Sequence, residues 1–221
     1  SIVESIAGSS FALTTKGRQF PVELSIPGRF NVENATVAAA VALEIGIDDV
    51  TISRGLSSVG TIPGRFERIE TGRGFGVIVD YAHTPDAIEA VIASARRISE
   101  GRVIVVFGAG GDRDREKRPA MGRAASRADV AILTSDNPRS EDPEAIMAAV
   151  RAGIPEATAI AEEPDRRRAI RAALGSAGSG DIVLVLGKGH ETGQEIAGRI
   201  EPFDDRDVVT DELRAIVESA T

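Results

Sequence analysis

The chain has 221 residues, 42% apolar and 27% charged, which is typical of a globular domain and excludes a disordered or collagen-like protein. Its 34 acidic and 26 basic side chains give a net charge of −8, so no nucleic-acid partner is expected. Cysteine is absent, which excludes disulfides, thiolate nucleophiles and cysteine-ligated metals. The sequence has no long apolar run and no signal-like N-terminus. We therefore expect a protein of the reducing cytoplasm without a membrane segment.

The first part of the chain is predicted to contain short strands followed by helices. The predicted elements are strands at 11–14 and 20–26, a turn at Lys16-Gly17, and helices at 32–45 and 50–57. A Pro/Gly break at 61–64 places the boundary between two domains, 1–62 and 63–221. The first domain is too small for a complete nucleotide-binding α/β domain and is interpreted as the tail of one.

Beyond this break, short β-branched runs alternate with helical stretches. Strands are predicted at 76–81, 103–108, 130–135, 157–161 and 182–187. Helices are predicted at 85–98, 117–126, 143–151, 165–174 and 207–219. This alternation is typical of right-handed βαβ units, so the fold class is α/β with a doubly wound, mostly parallel sheet.

Four polar clusters begin where predicted strands end. They are Asp80-Tyr-Ala-His83, Gly108-Ala-Gly-Gly-Asp-Arg-Asp114, Ser135-Asp-Asn-Pro-Arg139 and Gly187-Lys-Gly-His-Glu191. In open α/β sheets, ligands bind beyond the carboxyl ends of the strands. We therefore expect one shared site at this edge.

Two glycine-rich loops resemble nucleotide-binding motifs only in part. In the loop 108–114, Arg113 occupies the position of the third glycine of a dinucleotide fingerprint, and a tight turn is the alternative. The Gly187-Lys-Gly-His190 sequence lacks the earlier glycine and the Ser/Thr of a Walker A motif. A glycine-rich strand-to-helix connection is the alternative there.

Arginine and glutamate residues in these clusters indicate a zwitterionic ligand. Arg113 and Arg139 can each bind a carboxylate through paired hydrogen bonds, and Glu191 can accept an ammonium group. Asn137 offers both a donor and an acceptor. Taken alone, the sequence Asp136-Asn-Pro-Arg139 is equally consistent with an Asx-turn.

Other polar residues have simpler interpretations. Asn31 is either the N-cap of the first helix or a ligand contact, and Arg65 is either a solvated linker charge or part of a site. Arg166-Arg-Arg168 is predicted to be a solvated helix face, and Phe203-Asp-Asp-Arg206 an aspartate-capped helix start. His83 and His190 have no zinc-binding spacing.

A series of motifs, in order along the whole chain, resembles the Mur ligase family. They are Asn31-Val-Glu-Asn34, Pro63-Gly-Arg-Phe-Glu67, Asp80-Tyr-Ala-His-Thr-Pro-Asp86, Gly110-Gly-Asp-Arg-Asp114 with Lys117-Arg-Pro119, Asp136-Asn-Pro-Arg139, Gly187-Lys-Gly-His-Glu191 and Phe203-Asp-Asp-Arg206. Within the family, the similarity is greatest to members that add the third residue of the peptidoglycan stem peptide.

The resemblance implies an ATP-dependent, magnesium-requiring amide ligase with three domains. Residues 1–62 would then end the central ATP-binding domain, and residues 63–221 would form the C-terminal amino-acid-binding domain. The family's Gly-Thr-Asn-Gly-Lys-Thr phosphate loop does not occur in this sequence. We therefore expect a monomeric fragment that is inactive without the missing N-terminal and central portions, where most magnesium ligands are expected.

The resemblance also implies roles for individual residues. Those expected to bind meso-diaminopimelate are Arg113, Asp136, Asn137, Pro138, Arg139, Gly187 and Glu191. Those expected near ATP are Asn31, Asn34, Arg65, Asp80, Tyr81 and His83. No catalytic residue and no metal ligand is assigned within the chain. In this family, Asp-Asn-Pro-Arg marks members that select meso-diaminopimelate over lysine.

The implied reaction joins meso-diaminopimelate to UDP-N-acetylmuramoyl-L-Ala-D-Glu through an acyl phosphate. Selection against lysine is physically reasonable, because a buried guanidinium left without its carboxylate partner is costly. Two alternatives stay open. One is the same chemistry with lysine, or a folylpolyglutamate or cyanophycin type of ligase; the other is a non-catalytic module that binds an amino acid or nucleotide.

Overall fold

The computed structural model describes residues 2–15 and 17–218. Ser1, Lys16 of the predicted turn and Ser219 at the predicted end of the last helix therefore lie outside the described residues. The chain divides into two compact units, Ser1–Ile62 and Pro63–Thr221. No helix among the described residues is both long enough and apolar enough to cross a membrane.

The described residues of the first unit form a small antiparallel sheet and two helices. Its elements are β1 (Ile2–Ser5), β2 (Gly8–Thr15), β3 (Arg18–Leu24), α1 (Arg29–Glu44) and α2 (Asp49–Ser57). The strands pair in the order β1-β2-β3. Phe20, Val22 and Leu24 alternate along β3 and are buried, and they pack in one cluster with Val32 and Ile52 of the helices. The interpretation of this unit as the end of an ATP-binding domain stays a prediction.

In its described part, residues 63–218, the second unit contains a six-stranded sheet, a two-stranded hairpin and five helices. Its strands are β4 (Glu67–Ile69), β5 (Gly76–Asp80), β6 (Val103–Phe107), β7 (Val130–Leu133), β8 (Ile160–Glu162), β9 (Ile182–Leu186), β10 (Gly193–Ile196) and β11 (Arg199–Pro202). Its helices are α3 (Pro85–Ile98), α4 (Lys117–Ala125), α5 (Pro143–Arg151), α6 (Arg166–Ser176) and α7 (Asp205–Glu218).

The main sheet has the order β4-β5-β9-β6-β7-β8. Only β4 is antiparallel to its neighbour, and the other five strands are parallel. The predicted doubly wound, mostly parallel α/β fold is therefore confirmed. Because β5, β9, β6 and β7 are consecutive parallel neighbours, the loops that follow them leave the same edge of the sheet.

The central strands are apolar throughout because both faces of the sheet are covered. On one face, Val183 and Val185 of β9 pack in a cluster with Ile170 and Leu174 of α6 and with residues of α7. The alternate residue Leu184 is fully buried and points to the opposite face, where α3 packs against β6 and β9. Burial of each such side chain stabilises the fold by about 1.5–3 kcal/mol.

Helices α3 and α5 have the bounds that the sequence predicts, and their first turns carry strong capping signals that fix where each helix begins. The Thr84 side chain accepts a hydrogen bond from the backbone N–H of Ala87, and Asp142 accepts one from Glu144. A proline follows each cap and opens the helix.

The sequence did not predict β4 or the hairpin formed by β10 and β11. The predicted strand at 157–161 is also displaced, since β8 covers Ile160–Glu162. These strands carry few buried apolar side chains, and all four residues of β11 are exposed. An alternating apolar pattern, the main strand signal, is therefore missing.

At the amino edge of the sheet, Asp181 holds together the segments that lead into β6 and β9. Its carboxylate accepts hydrogen bonds from Arg102 Nη2 at 2.7 Å, from the Arg102 backbone N–H at 2.7 Å and from the Gly178 N–H at 2.9 Å. These donors, the Arg102 side chain above all, lower the pKa of Asp181 to about 2.

We expect the Asp181→Asn variant to be less stable than the wild type at neutral pH. Its free energy of unfolding should also fall less steeply than that of the wild type as the pH is lowered. Because the folded pKa lies below the ordinary value of 3.8, the contribution of Asp181 is present above that pH and lost as the pH falls towards 2. Urea unfolding between pH 7 and pH 2 would measure this. Equal pH dependence of both proteins between pH 4 and pH 2 would contradict it.

Candidate functional site

One cavity, here called the edge cavity, lies at the carboxyl edge of the sheet and has a volume of about 250 Å³. Four loops contribute to it, and they follow β5, β6, β7 and β9. The lining residues are Tyr81, His83, Thr84, Ala109, Gly110, Arg113, Asp114, Lys117, Arg118, Met121, Asp136, Asn137, Arg139, Gly187 and Glu191. The expectation that the four polar clusters meet at one edge is confirmed.

The loop after β5 is held by Asp80, which is only 7% exposed. Its two carboxylate oxygens accept hydrogen bonds of 2.7 Å from the backbone N–H groups of Phe66 and Ala82. Burial raises the pKa of Asp80, and the two N–H donors partly oppose that effect by favouring the carboxylate. In this structure Asp80 fixes the path of two loops.

Tyr81 is the centre of an aromatic and cationic group. The Arg65 guanidinium lies 4.9 Å from the centre of its ring. The His83 imidazole meets the same ring edge-on at 4.6 Å, and His190 lies at 5.5 Å. Arg65 therefore makes a cation–π contact and is not merely a solvated linker charge. The structure brings together Arg65, Asp80, Tyr81 and His83, four of the residues predicted to lie near ATP.

Glycine is required where the loop after β9 passes the turn at Gly64. The backbone of Gly189 has φ of +54°, and a Cβ atom there would lie 2.7 Å from Tyr81 Cβ. Gly64 has φ of +66°, and its carbonyl accepts a hydrogen bond from the Tyr81 N–H at 2.9 Å. This close packing brings His190 next to Tyr81.

The loops after β6 and β7 are bonded to each other. Arg139 Nη1 donates to the Gly111 carbonyl at 2.7 Å, and the Gly111 N–H donates to the Asn137 carbonyl at 2.8 Å. Glu141 accepts from the Asp112 N–H at 2.6 Å and from Arg118 Nη2 at 2.8 Å. The hydrogen bonds from Arg118 lower the pKa of Glu141 to about 2, so it is ionised at neutral pH.

These bonds place the two predicted carboxylate-binding arginines on one cavity. Arg113 and Arg139 both line it, and Arg113 is exposed. Arg139 has φ of +53° and lies against the hairpin, since its N–H donates to the Glu195 carbonyl and its carbonyl accepts from the Ala197 N–H. Its Nε atom is 3.4 Å from Glu195 Oε2.

Asn137 and Glu191 are in direct contact. Asn137 Nδ2 donates to Glu191 Oε2 at 2.8 Å, and Asn137 Oδ1 accepts from the Glu195 N–H at 3.0 Å. The Asn137 amide is thus largely used in holding neighbouring segments, whereas Glu191 is only half-buried and faces the cavity.

Asp136 lies at the base of the same loop and is buried. Burial raises its pKa, while the nearby positive charges of Arg166 and Lys188 favour its ionised form. Gly187 has φ of +115°, and a Cβ atom at that position would lie 2.5 Å from Asp136 Oδ2. Gly187 therefore leaves room for the Asp136 carboxylate. Pro138, the remaining predicted contact, is buried and does not line the cavity.

Asn31 and Asn34 lie in the other unit, inside α1. The N-cap of α1 is Gly28, so the prediction of Asn31 as the N-cap is wrong. Asn31 is in the first turn, where its Nδ2 donates to the Pro27 carbonyl at 2.7 Å. Asn34 is exposed.

The prediction of a solvated face at Arg166-Arg-Arg168 is wrong for Arg166. That side chain is fully buried, and its Nε and Nη2 atoms donate to the two carboxylate oxygens of Asp205 at 2.8 and 2.6 Å. Its Nη2 also donates to the Leu186 carbonyl at 2.9 Å, at the end of β9. Asp205 itself opens α7 rather than remaining in the preceding loop.

Sequence reasoning missed four residues that organise the site. They are Arg118, Glu141, Lys188 and Glu195. Arg118 and Lys188 are buried cations, which a sequence does not distinguish from solvated ones. The Gly187-Lys-Gly-His190 sequence leads into a turn and then β10, so the alternative interpretation of this loop as a strand-to-helix connection is wrong. Among the described residues, no group of three or more His, Asp or Glu side chains could hold a metal ion.

The fold is a mostly parallel α/β sheet with a charged cavity at its carboxyl edge, and comparison with known proteins identifies the family. The sequence model described as "Mur ligase, glutamate ligase domain" matches residues 64–189. The chain belongs to the Mur ligase family.

Two curated relatives have the same name, UDP-N-acetylmuramoyl-L-alanyl-D-glutamate–2,6-diaminopimelate ligase. The one from Solibacter usitatus is 48% identical over 96% of this chain and 44% of its own length. The one from Aquifex aeolicus is 48% identical over 93% of this chain and 42% of its own length. The chain thus spans less than half the length of these relatives.

A solved structure with that ligase name superposes with a TM-score of 0.74 at 41% identity. The match covers 98% of this chain and 45% of the solved chain. This chain therefore shares its fold with a solved structure that is also similar to it in sequence.

Proposed function

We propose that this chain is the amino-acid-binding part of an ATP-dependent ligase that adds meso-diaminopimelate to UDP-N-acetylmuramoyl-L-Ala-D-Glu. The observation that supports this most directly is the arrangement of charges at the edge cavity. Arg113, Arg139 and Glu191 come from three different loops and line one cavity.

These charges match an amino acid with two carboxylates. Each guanidinium can bind a carboxylate with two parallel hydrogen bonds, and Glu191 can bind an ammonium group. Lysine lacks the distal carboxylate and would leave one arginine without a partner. The names of the similar ligases, which include 2,6-diaminopimelate, support the same substrate.

The nucleotide would lie beside Tyr81. Arg65, Tyr81, His83 and His190 present a guanidinium, a phenol and two imidazoles close together. Such groups fit a nucleotide, because rings stack on bases and cations bind phosphate oxygens.

In a ligase of this class, the dipeptide carboxylate accepts the γ-phosphoryl group of Mg²⁺-bound ATP, releasing ADP, and the amino acid's amine then displaces phosphate. The described residues would supply positioning. Two arginines and one glutamate fix the amino acid so that its free amine points out of the edge cavity. Holding reactants in this way contributes about 7–11 kcal/mol to lowering a bimolecular barrier. Residues 1–221 alone are expected not to turn over.

The test is a competition in the full-length protein. With the UDP-linked dipeptide, ATP, Mg²⁺ and equal concentrations of meso-diaminopimelate and L-lysine, mass spectrometry would measure both amide products. We expect the diaminopimelate product to exceed the lysine product by about 100-fold or more, because an unpaired arginine penalises lysine. Equal or greater use of lysine would overturn the substrate assignment. Absence of both products would favour a non-catalytic binding module.

A further inference from the structure

Lys188 is a buried cation for which the proposed reaction has so far no role. It follows Gly187 directly after β9, and its side chain is fully buried. Lysine is almost never buried to this degree without partners, because removing an ammonium group from water is costly. The contacts of Lys188 therefore indicate what it does.

The Lys188 ammonium contacts three acceptor groups. Its Nζ atom donates to the Gly193 carbonyl at 2.6 Å and to Asn137 Oδ1 at 3.1 Å. A third contact, at 3.4 Å, is to Glu191 Oε2. Asp136 Oδ1 lies 4.0 Å away. Three acceptors match the three N–H groups of an ammonium, so Lys188 is not available to bind a ligand itself.

These contacts fix the orientation of the Asn137 amide. Its Oδ1 atom receives hydrogen bonds from Lys188 and from the Glu195 N–H. Two donors on this side require the oxygen there, so Nδ2 must point to Glu191.

The same contacts fix the Glu191 carboxylate. Both Lys188 Nζ and Asn137 Nδ2 contact Oε2, and neither bond uses Oε1. One oxygen is thus held by the protein, and the carboxylate presents the other without needing to reorient. A carboxylate held in this way loses little freedom when it binds an ammonium group.

We propose that Lys188 is a positioning residue that sets the affinity for the amino-acid substrate by fixing Asn137 and Glu191. This inference rests on the proposed function, since it names the residue that organises the same site. Lys188 acts on the substrate only through its two neighbours. Its loss would therefore affect the amino acid and not the nucleotide.

The test uses the full-length protein and the Lys188→Met variant, which keeps the length of the side chain and removes the charge. We expect KM for meso-diaminopimelate to rise by about 10- to 100-fold, the range for a lost charged hydrogen bond. KM for ATP should change by less than about 3-fold, because no hydrogen bond to the nucleotide is lost. The control is Arg168→Met, which removes a cation with 70% side-chain exposure from α6 and should leave both constants unchanged.

A double-mutant cycle with Glu191→Gln separates positioning from a general loss of structure. If Lys188 acts through Glu191, the two effects on KM will be far from multiplicative. Multiplicative effects, an unchanged KM for meso-diaminopimelate, or equal rises for ATP and the amino acid would each overturn the inference. Lys188→Gln, which is uncharged but can still donate, provides the same comparison if Lys188→Met does not fold. Failure of the wild type to use meso-diaminopimelate would instead contradict the proposed function.

Discussion

Replacing Arg139 with alanine in the full-length protein is expected to reduce kcat/KM for meso-diaminopimelate by at least about 30-fold, or about 2 kcal/mol. The guanidinium lines the edge cavity and is held by the Gly111 carbonyl and Glu195. Its removal would take away a charge-assisted contact to the distal carboxylate of the substrate. Steady-state rates with meso-diaminopimelate and with L-lysine would measure the effect.

The decisive quantity in that experiment is the ratio of kcat/KM for meso-diaminopimelate to kcat/KM for L-lysine. Arg139 also supports the Gly111 loop, and loss of that support would slow both substrates equally. Only the contact to the distal carboxylate distinguishes them, so the preference for meso-diaminopimelate should fall. Arg123→Ala, which removes an exposed arginine near the end of α4, is the matched control. An unchanged preference in Arg139→Ala would reject the assignment.

The largest effect on stability is expected for Asp205→Ala. Arg166 and Asp205 are both fully buried and form a two-point ion pair between α6 and α7. Removal of Asp205 leaves the buried Arg166 guanidinium without its ion-pair partner, and breaking a buried pair in this way costs about 3–5 kcal/mol. For a unit of this size, each kcal/mol lowers Tm by about 2–4 °C. Thermal unfolding should therefore show a decrease on the order of 10 °C.

A neighbouring pair provides the comparison for Asp205→Ala. Arg168 and Asp165 are 3.6 Å apart and more than half exposed. Exposed pairs contribute about 0–1 kcal/mol, so Arg168→Ala should scarcely change Tm. Similar melting temperatures for Asp205→Ala and the wild type would show that the buried pair is not required for stability.

The main sheet could be predicted because its strands are buried on both faces and its helices have clear caps. Val103–Phe107 and Ile182–Leu186 are continuous apolar runs, and Thr84 and Asp142 mark helix starts. The hairpin could not be predicted in this way, because it is joined to residues 136–139 by hydrogen bonds of backbone and side-chain groups rather than by buried apolar side chains.

The buried ion pair could have been found from helical spacing. Arg166 stands three and four residues before Ala169 and Ile170, and seven and eight before Ala173 and Leu174, so it shares their buried face. The run of three charges at Arg166-Arg-Arg168, taken without this spacing, predicts a solvated helix face. Lys188 gives no comparable signal, because it lies between two glycines in a loop and its partners are distant in sequence.

The bonding of Arg139 to the β10–β11 hairpin has a consequence for protein engineering. Its N–H and carbonyl groups are joined to the Glu195 and Ala197 backbones, and Gln194 Nε2 donates to the Asp136 carbonyl. The sequence Asp136-Asn-Pro-Arg139 is thus one side of a scaffold whose other side lies some 60 residues downstream. Transplanting those four residues alone into another ligase would transfer Arg139 without the hairpin that holds it in position. The smallest exchangeable unit therefore includes the hairpin.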